Sequence, residues 1–433
     1  MQKHVLILLM VAIWSGRPGM AGGPIPASPE KLTLTQAVDM ALANSPELRS
    51  GRERIAAAQA GIEFAKSRYR PQITFNGIAK LGLSGATNGL GLLGLPASPF
   101  WNDISDAVNV DQDIFDFGRT RHSVGVARAK EEAAEHDLDR SRIQVAERAK
   151  VAFLKVLSAQ RLVQVREEDL KERQQVERKA DEFFEVGLSS KLDLDLAQVG
   201  LRSAEMALAE AQDDQQAWAE LFTALGQAKG QHYELVEPAP QLMPPENLTM
   251  AIDTALSTRP DLKAVQARIK AQQERVLYAQ SLRRPILAGV FSGGYARFPK
   301  LTLARLSAGA LGLFAPIYTG GGLKAQITAE QRRLGALRAQ YASQVLEVRD
   351  EVSRNHANVL KALQSTEDNQ KIAAYAEEAL RLARTRYQAQ LTSFVELITA
   401  DAATEQARAN YSQAFYAYQM ARARLNASLG LLR

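Results

Sequence analysis

Two stretches decide how this chain is built: AVDMALANSPELRSGRERIAAAQAGIEFAKSRYRPQI at 37–73 and AIDTALSTRPDLKAVQARIKAQQERVLYAQSLRRPIL at 251–287. They align without a gap at an offset of 214 residues and share 14 identities, among them Asp39/Asp253, Pro46/Pro260, Leu48/Leu262, Arg54/Arg268 and Pro71/Pro285. A second correspondence runs at an offset of 203, where Ile114-Phe115-Asp116-Phe117-Gly118-Arg119 lies over Ile317-Tyr318-Thr319-Gly320-Gly321-Gly322. At that offset Leu188-Ser189-Ser190 also lies over Leu391-Thr392-Ser393, and each half ends in Leu-Gly, at Leu225-Gly226 and Leu429-Gly430. A long unit is written twice, which sets the architecture before any local reading.

Within each unit the order of elements is the same. A helical segment opens it, at about 33–69 and 247–283, broken at Asn44-Ser45-Pro46 and Thr258-Arg259-Pro260 because proline lacks a donor and restricts its predecessor. Strands follow. In Ile73, Phe75, Gly77, Ala79, Leu81 and Leu83 apolar or small residues alternate with Thr74, Asn76, Lys80 and Ser84, the period of a strand with one apolar face. The expected strands are 72–86 and 104–116, then 286–297 and 302–317. Residues 81–102 and 306–323 carry no charge, yet glycines and prolines interrupt both, so neither is a good helix. The longest elements come next: 117–184 holds no proline and 321–389 repeats it, each long enough for a helix of about 100 Å. After short breaks at 186–190 and 390–393 a second helix returns, at 191–226 and 394–429, giving antiparallel hairpins.

Of the 433 residues, 46% are apolar, 23% charged and 6% aromatic, a composition of long helices with a real core. No cysteine is present, which excludes disulfides, thiolate metal sites, cysteine nucleophiles and a lipid-modified N-terminal cysteine. A net charge of +5 is no nucleic-acid signature, and no nucleic-acid partner is expected. Lys3, the apolar run 5–14 and the small residues Gly19 and Ala21 read as a signal peptide over 1–21, too short to span a bilayer. The expected organisation is then a first repeat at 22–226, a linker at 227–246 and a second repeat at 247–433.

Four strands per chain cannot close a barrel, and an open apolar sheet in lipid would leave its edge groups without partners. Three chains would supply twelve strands, an even number wide enough for a lumen. The expected fold class is mainly α with membrane β. Long helical hairpins at the other end of the same chain would form a helical tube, and four strands per chain would join a trimeric twelve-stranded transmembrane barrel.

The duplicated plan resembles the TolC-type outer-membrane efflux channel family over nearly all the mature chain. The carriers are the twin Ala-(Val/Ile)-Asp-x-Ala-Leu-x-x-x-Pro-(Glu/Asp)-Leu openings at 37–48 and 251–262, the twin Arg-Pro at 70–71 and 284–285, and the twin strand-to-helix junctions. The resemblance implies a homotrimer in outer-membrane lipid with a twelve-stranded barrel and a long periplasmic α-barrel, served by an inner-membrane pump and a periplasmic adaptor in a tripartite efflux or type I secretion system. It places adaptor-docking tips at Val186, Gly187, Leu188, Ser189 and Ser190, and at Gln390, Leu391, Thr392 and Ser393. Gln390 stands where the family has glycine. Pore-constricting carboxylates fall on Asp193, Asp195 and Glu396, while a further family carboxylate is replaced by Thr399. A threefold ring of Asp193 or Glu396 would attract cations, whereas acids at a helix start also simply favour its dipole.

Other features carry blander readings. Glu131, Glu132, Glu135, His136, Asp137 and Asp139 read as a solvated helix face. Tyr411, Phe415 and Tyr418 recur at helical spacing and read as packing. Phe100 and Trp101 are candidate membrane-interface anchors. No nucleotide loop, zinc spacing or catalytic constellation stands out, so no cofactor, no metal and no enzymatic activity are expected. The rival readings are a periplasmic adaptor, which would carry one hairpin rather than two, and a helical scaffold without a pore.

Overall fold

The computed structural model describes residues 30–79, 104–227, 233–238, 242–298 and 301–432. The leader at 1–21 and the candidate anchors Phe100 and Trp101 lie outside the described residues. In chain order the elements are β1 (Glu30–Leu32), α1 (Leu34–Asn44), α2 (Pro46–Lys66), β2 (Gln72–Ala79), β3 (Ile104–Phe115), α3 (Arg119–Glu185), α4 (Lys191–Ala211) and α5 (Gln215–Leu225). Then follow β4 (Tyr233–Leu235), α6 (Leu248–Thr258), α7 (Pro260–Ser281), β5 (Ile286–Phe298), β6 (Leu301–Phe314), α8 (Gly322–Gln388) and α9 (Phe394–Ser428).

The strands form one antiparallel sheet in the order β2-β3-β5-β6, so the two expected hairpins meet through β3 and β5. Register follows the period-two pattern. Ile73, Val110 and Phe291 lie in one row, with Phe75 and Val108 in the next, on the same face. Ile73 is 70% exposed and Leu311 74%, which no water-facing sheet would tolerate as a continuous patch. The opposite face carries Thr74, Asn109 and Ser292 in one row and Gln72 and Asp111 in another. Among the described residues no helix is long and apolar enough to cross a membrane.

Each strand is covalently continuous with one helix: α2 enters β2, β3 leaves into α3, α7 enters β5 and β6 leaves into α8. The helices then touch in the order α2–α3–α7–α8, the same order as the strands. Both strand-to-helix junctions use two successive left-handed residues, Phe117 and Gly118 in one copy and Gly320 and Gly321 in the other. At the far end the neighbours are α4–α3–α9–α8. A four-element layer therefore runs the length of the chain, sheet at one end and helices over the rest, with α3 and α8 each 67 residues long.

The repeated Leu-Gly endings find their reason here. Asn44, at the break between α1 and α2, donates from Nδ2 to the Leu225 carbonyl at 3.3 Å, and Thr258 Oγ1 donates to the Leu429 carbonyl at 2.5 Å. Gly226 and Gly430 are both left-handed, and a Cβ there would sit 3.0 Å from Asn44 Cβ and 3.1 Å from Arg259 Cα. Each returning helix thus docks on the proline break of its own repeat, at a contact that admits no side chain. The breaks are capped differently: Ser45 Oγ accepts from Leu48 N, whereas Arg259 bonds Asp261, Glu351 and the Ser428 carbonyl.

One expectation needs correction. The first return helix is not continuous over 191–226 but splits at Gln212 into α4 and α5. Asp213 and Asp214 weaken helix locally by competing for backbone groups, and the Asp214 carboxylate accepts from Trp218 Nε1 at 2.8 Å. The turn lets α5 bury Leu221, Phe222 and Leu225 with Phe153 and Leu157 of α3, worth about 1.5–3 kcal/mol for each large apolar side chain. The second repeat has Tyr416 and Ala417 at the matching positions, and α9 runs through. The linker 227–246 also holds structure, since β4 pairs in parallel with β1. Strands of three residues carry no periodicity to read.

The aromatic stripe does pack. Phe415 and Tyr418 are buried, and the Tyr418 hydroxyl donates to the Met243 carbonyl at 2.6 Å. The acidic run on α3 is tied to α7, with Glu132 on Lys270 at 2.9 Å and Asp137 on Arg268 at 2.5 Å.

Candidate functional site

The two tips are the same turn built from different residues. At the first, Gly187 is left-handed with φ +74, its amide donates to the Phe184 carbonyl at 3.0 Å, and Leu188 N donates to the Phe183 carbonyl at 2.7 Å. At the second, Gln390 takes φ +57, its amide reaches the Tyr387 carbonyl at 2.9 Å, and Leu391 N reaches Arg386 at 2.8 Å. This pairing of bonds to the last turn is a helix C-terminal motif that ordinarily selects glycine. Gln390 therefore keeps the shape of the first tip without its glycine.

The new helices then start under serine caps. Ser190 Oγ accepts from Asp193 N at 3.2 Å while the Asp193 carboxylate accepts from Ser190 N at 3.1 Å, a reciprocal capping box. Ser393 Oγ accepts from Glu396 N at 3.3 Å, and the Glu396 carboxylate accepts from Thr392 Oγ1 and from Arg386 Nη1. Asp195 is exposed and paired with Lys191 at 2.8 Å. Asp193 and Glu396 thus lie in a first helical turn and Asp195 just beyond it, and all three have local partners. Phe183, Tyr387 and Phe394 bring the tips side by side, with ring centroids 6.1 and 5.7 Å apart. Burial, and then the negative charge of Asp193, hold the Tyr387 phenol above its ordinary range. Beyond this contact Val186, Leu188, Leu192, Leu391 and Val395 leave an apolar end surface exposed.

A second polar feature lies 13 residues back along α3 from Val186, about 20 Å at helical rise. Arg173 Nη1 lies 3.1 Å from Asp401 Oδ2 and its Nε 3.4 Å from Asp169 Oδ1. Arg384 reaches Glu172 at 2.6 Å and Asp401 at 3.3 Å, and Arg408 reaches Glu377 at 2.9 Å and Glu172 at 3.4 Å. Arg166 pairs with Glu405 beside them. Gly200 of α4 lies against Arg173, so all four helices of this section meet in one charged layer. Asp401 is 2% exposed. Burial pushes its carboxyl above the usual carboxylate range and Glu172 adds to the rise, opposed by Arg173 and Arg384. Asp169 is raised for the same leading reason, against Arg173 and with Asp401. Sequence reading missed this layer, because an Arg and an Asp on a helix look solvated until their partners, over 200 residues away, are known.

No group of three or more metal-ligating side chains lies together among the described residues. His122 Nδ1 pairs with Glu274 of α7 at 2.8 Å, and His356 Nε2 of α8 meets the Glu246 carbonyl of the loop before α6 at 2.7 Å.

An apolar-faced sheet continued strand for helix into a layer of very long helices defines a channel wall rather than an adaptor, whose single hairpin this chain exceeds. The family model described as outer membrane efflux protein matches residues 37–227 and 251–431, and the chain belongs to that family. It is an outer-membrane efflux channel with a large periplasmic helical part. Among curated relatives, outer membrane efflux protein BepC of Brucella suis biovar 1 is 25% identical over 356 residues, covering 80% of this chain and 74% of that one. Protein CyaE of Bordetella pertussis is 28% identical over 260 residues, 59% of this chain and 53% of that protein. The fold is similar to crystal structures of CusC, with TM-score 0.78, 20% identity and 92% of each chain covered. It is likewise similar to the outer-membrane channel OprN, with TM-score 0.76, 19% identity, 92% of this chain and 89% of that one. The Campylobacter jejuni CmeC channel gives 0.73, 17%, 92% and 85%.

Proposed function

We propose that three copies of this chain close the sheet into a twelve-stranded barrel and the helices into a tube beneath it, forming a passive exit duct. An inner-membrane pump supplies the energy and a periplasmic adaptor joins it to the tips at Val186–Ser190 and Gln390–Ser393. The observation that carries this reading is the coincidence of strand and helix order. Within the described residues β2 and α2 end the layer on one side and β6 and α8 on the other, so one assembly step satisfies sheet edges and helix flanks together. The exposed apolar ends at both tips support docking of a partner there. The leader at 1–21, repeats at 22–226 and 247–433 and linker at 227–246 belong to the same proposal.

The first test is the protein mass of the detergent-extracted particle by light scattering. Three chains per particle is the expected result; one chain in detergent-free buffer would end the duct reading. For the constriction, Asp193→Asn with Glu396→Gln is expected to shift ion selectivity away from cations in planar bilayers, because two rings of threefold charge are removed. Unchanged selectivity and conductance in the double variant would return both carboxylates to capping alone.

A further inference from the structure

Beneath the sheet, a cleft of about 510 Å³ is lined by Lys66, Tyr69 and Arg70 at the end of α2, by Arg121, Gly125 and Arg128 on α3, and by Glu274 of α7. Four cations line it. Lys66 and Arg70 share Glu63, at 2.7 and 3.8 Å, and Glu274 is taken by His122 at 2.8 Å. Arg121 and Arg128 are exposed and have no ion pair or hydrogen bond among the described residues. Two guanidinium groups thus face a cavity whose one lining carboxylate, Glu274, is engaged by His122.

The height of the cleft says what could answer them. Arg70 is two residues from the first residue of β2, and Arg121 six residues past the end of β3. Arg128 follows two helical turns later, about 10 Å further along α3. Side chains on a helix lean toward its N-terminus, which for α3 is the sheet end, so both arginines lean toward the membrane boundary. The polar zone of a bilayer adds about 5–8 Å to each side of its hydrocarbon, and Arg70, two residues from β2, lies within that distance of the end of the sheet. Tyr69, also in its lining, is 56% exposed, an aromatic of the kind enriched at membrane interfaces.

We infer that this cleft seats the phosphodiester headgroup of an anionic glycerophospholipid from the periplasmic leaflet. The inference rests on the sheet spanning the membrane. Arg121 and Arg128 supply bidentate donors for phosphate oxygens, and Lys66 and Arg70 add positive potential from the opposite wall. Basic pockets beside membrane-spanning elements recognise lipid headgroups in this way.

The test is native mass spectrometry of the delipidated, detergent-solubilised protein titrated with phosphatidylglycerol or phosphatidylcholine. Phosphatidylglycerol is expected to bind at least about tenfold more tightly, each arginine near the headgroup layer contributing a severalfold preference. Arg121→Gln with Arg128→Gln should abolish that preference, Arg121→Lys with Arg128→Lys should keep part of it, and Arg142→Gln, outside the cleft, should leave it intact. Displacement of the lipid by equimolar inorganic phosphate would assign the cleft to free phosphate and overturn the lipid. A preference that is absent, or that survives the double glutamine variant, would overturn the site. The same spectra give the number of chains per particle, so failure of the trimer is read apart from failure of the cleft.

Discussion

Arg173→Leu is expected to destabilise the protein by about 3–5 kcal/mol, the effect of removing one partner from a buried ion pair and stranding the other charges. Asp169 and Asp401 would both stay buried, and Asp401 Oδ2 would lose its 3.1 Å contact to the guanidinium. The measurement is the apparent melting temperature of the detergent-solubilised protein. Replacing Arg173, Asp169 and Asp401 together by leucine should recover most of the loss, since an apolar set of like volume is often neutral in place of a buried charge cluster. If the single and triple variants melt alike, the layer is not a coupled unit.

The same layer sets a pH dependence with a definite sign. Burial first, and neighbouring carboxylates second, hold Asp401 and Asp169 above the usual carboxylate range. A carboxyl whose folded-state value is raised contributes stability that is fully present below the unfolded value and is lost as pH rises through the folded one. Acidification across that window therefore raises the contribution of these two groups to stability. Asp401→Asn should flatten the rise in melting temperature; a slope equal to wild type would remove Asp401 from the account.

Gly187→Val is expected to abolish export while leaving the assembled particle in the membrane. Export is scored as intracellular accumulation of the exported compound in a strain that relies on this channel. No atom lies within 4 Å of a Cβ at this position, so the substitution creates no clash. Its effect is on the backbone. A left-handed conformation costs an L-residue about 1–2 kcal/mol, and more than that for a β-branched one. The first turn would leave its shape, giving up the bonds to Phe184 and Phe183 on which the tip surface depends. Gly187→Gln is the informative contrast. Gln390 already holds this conformation at the other tip with matching hydrogen bonds, so glutamine at 187 should preserve export. Full export by the valine variant would remove the tip turn from the docking surface.

These two predictions draw on different kinds of legibility. The tip could be found in the sequence because Gly187-Leu188-Ser189-Ser190 is a local signal, a left-handed stop followed by a cap, and because it recurs before Ser393. That Asp193 completes a capping box was open to the same local reading, and its reciprocal bond with Ser190 makes it structural whatever else it does. The breaks at Pro46 and Pro260, the strands and the lengths of α3 and α8 were legible for the same reason. Each depends on residues within a few positions of one another.

Repeats, proline breaks and period-two alternation are enough to specify a helix–strand–strand–hairpin unit that occurs twice, the points where each unit turns, and a sheet with one apolar face. Long-range packing settles the rest: β3 pairs with β5, helix order repeats strand order, and β1 and β4 meet across the linker. It also decided which charges are buried. Asp169, Arg173 and Asp401 are spelled like any solvated helix face, and the same layer joins residues up to 236 positions apart, as in Glu172 and Arg408. Local order follows from backbone sterics and short-range periodicity, which travel with the sequence. Burial of a charge is a property of what packs over it, and that is fixed only when distant segments come together.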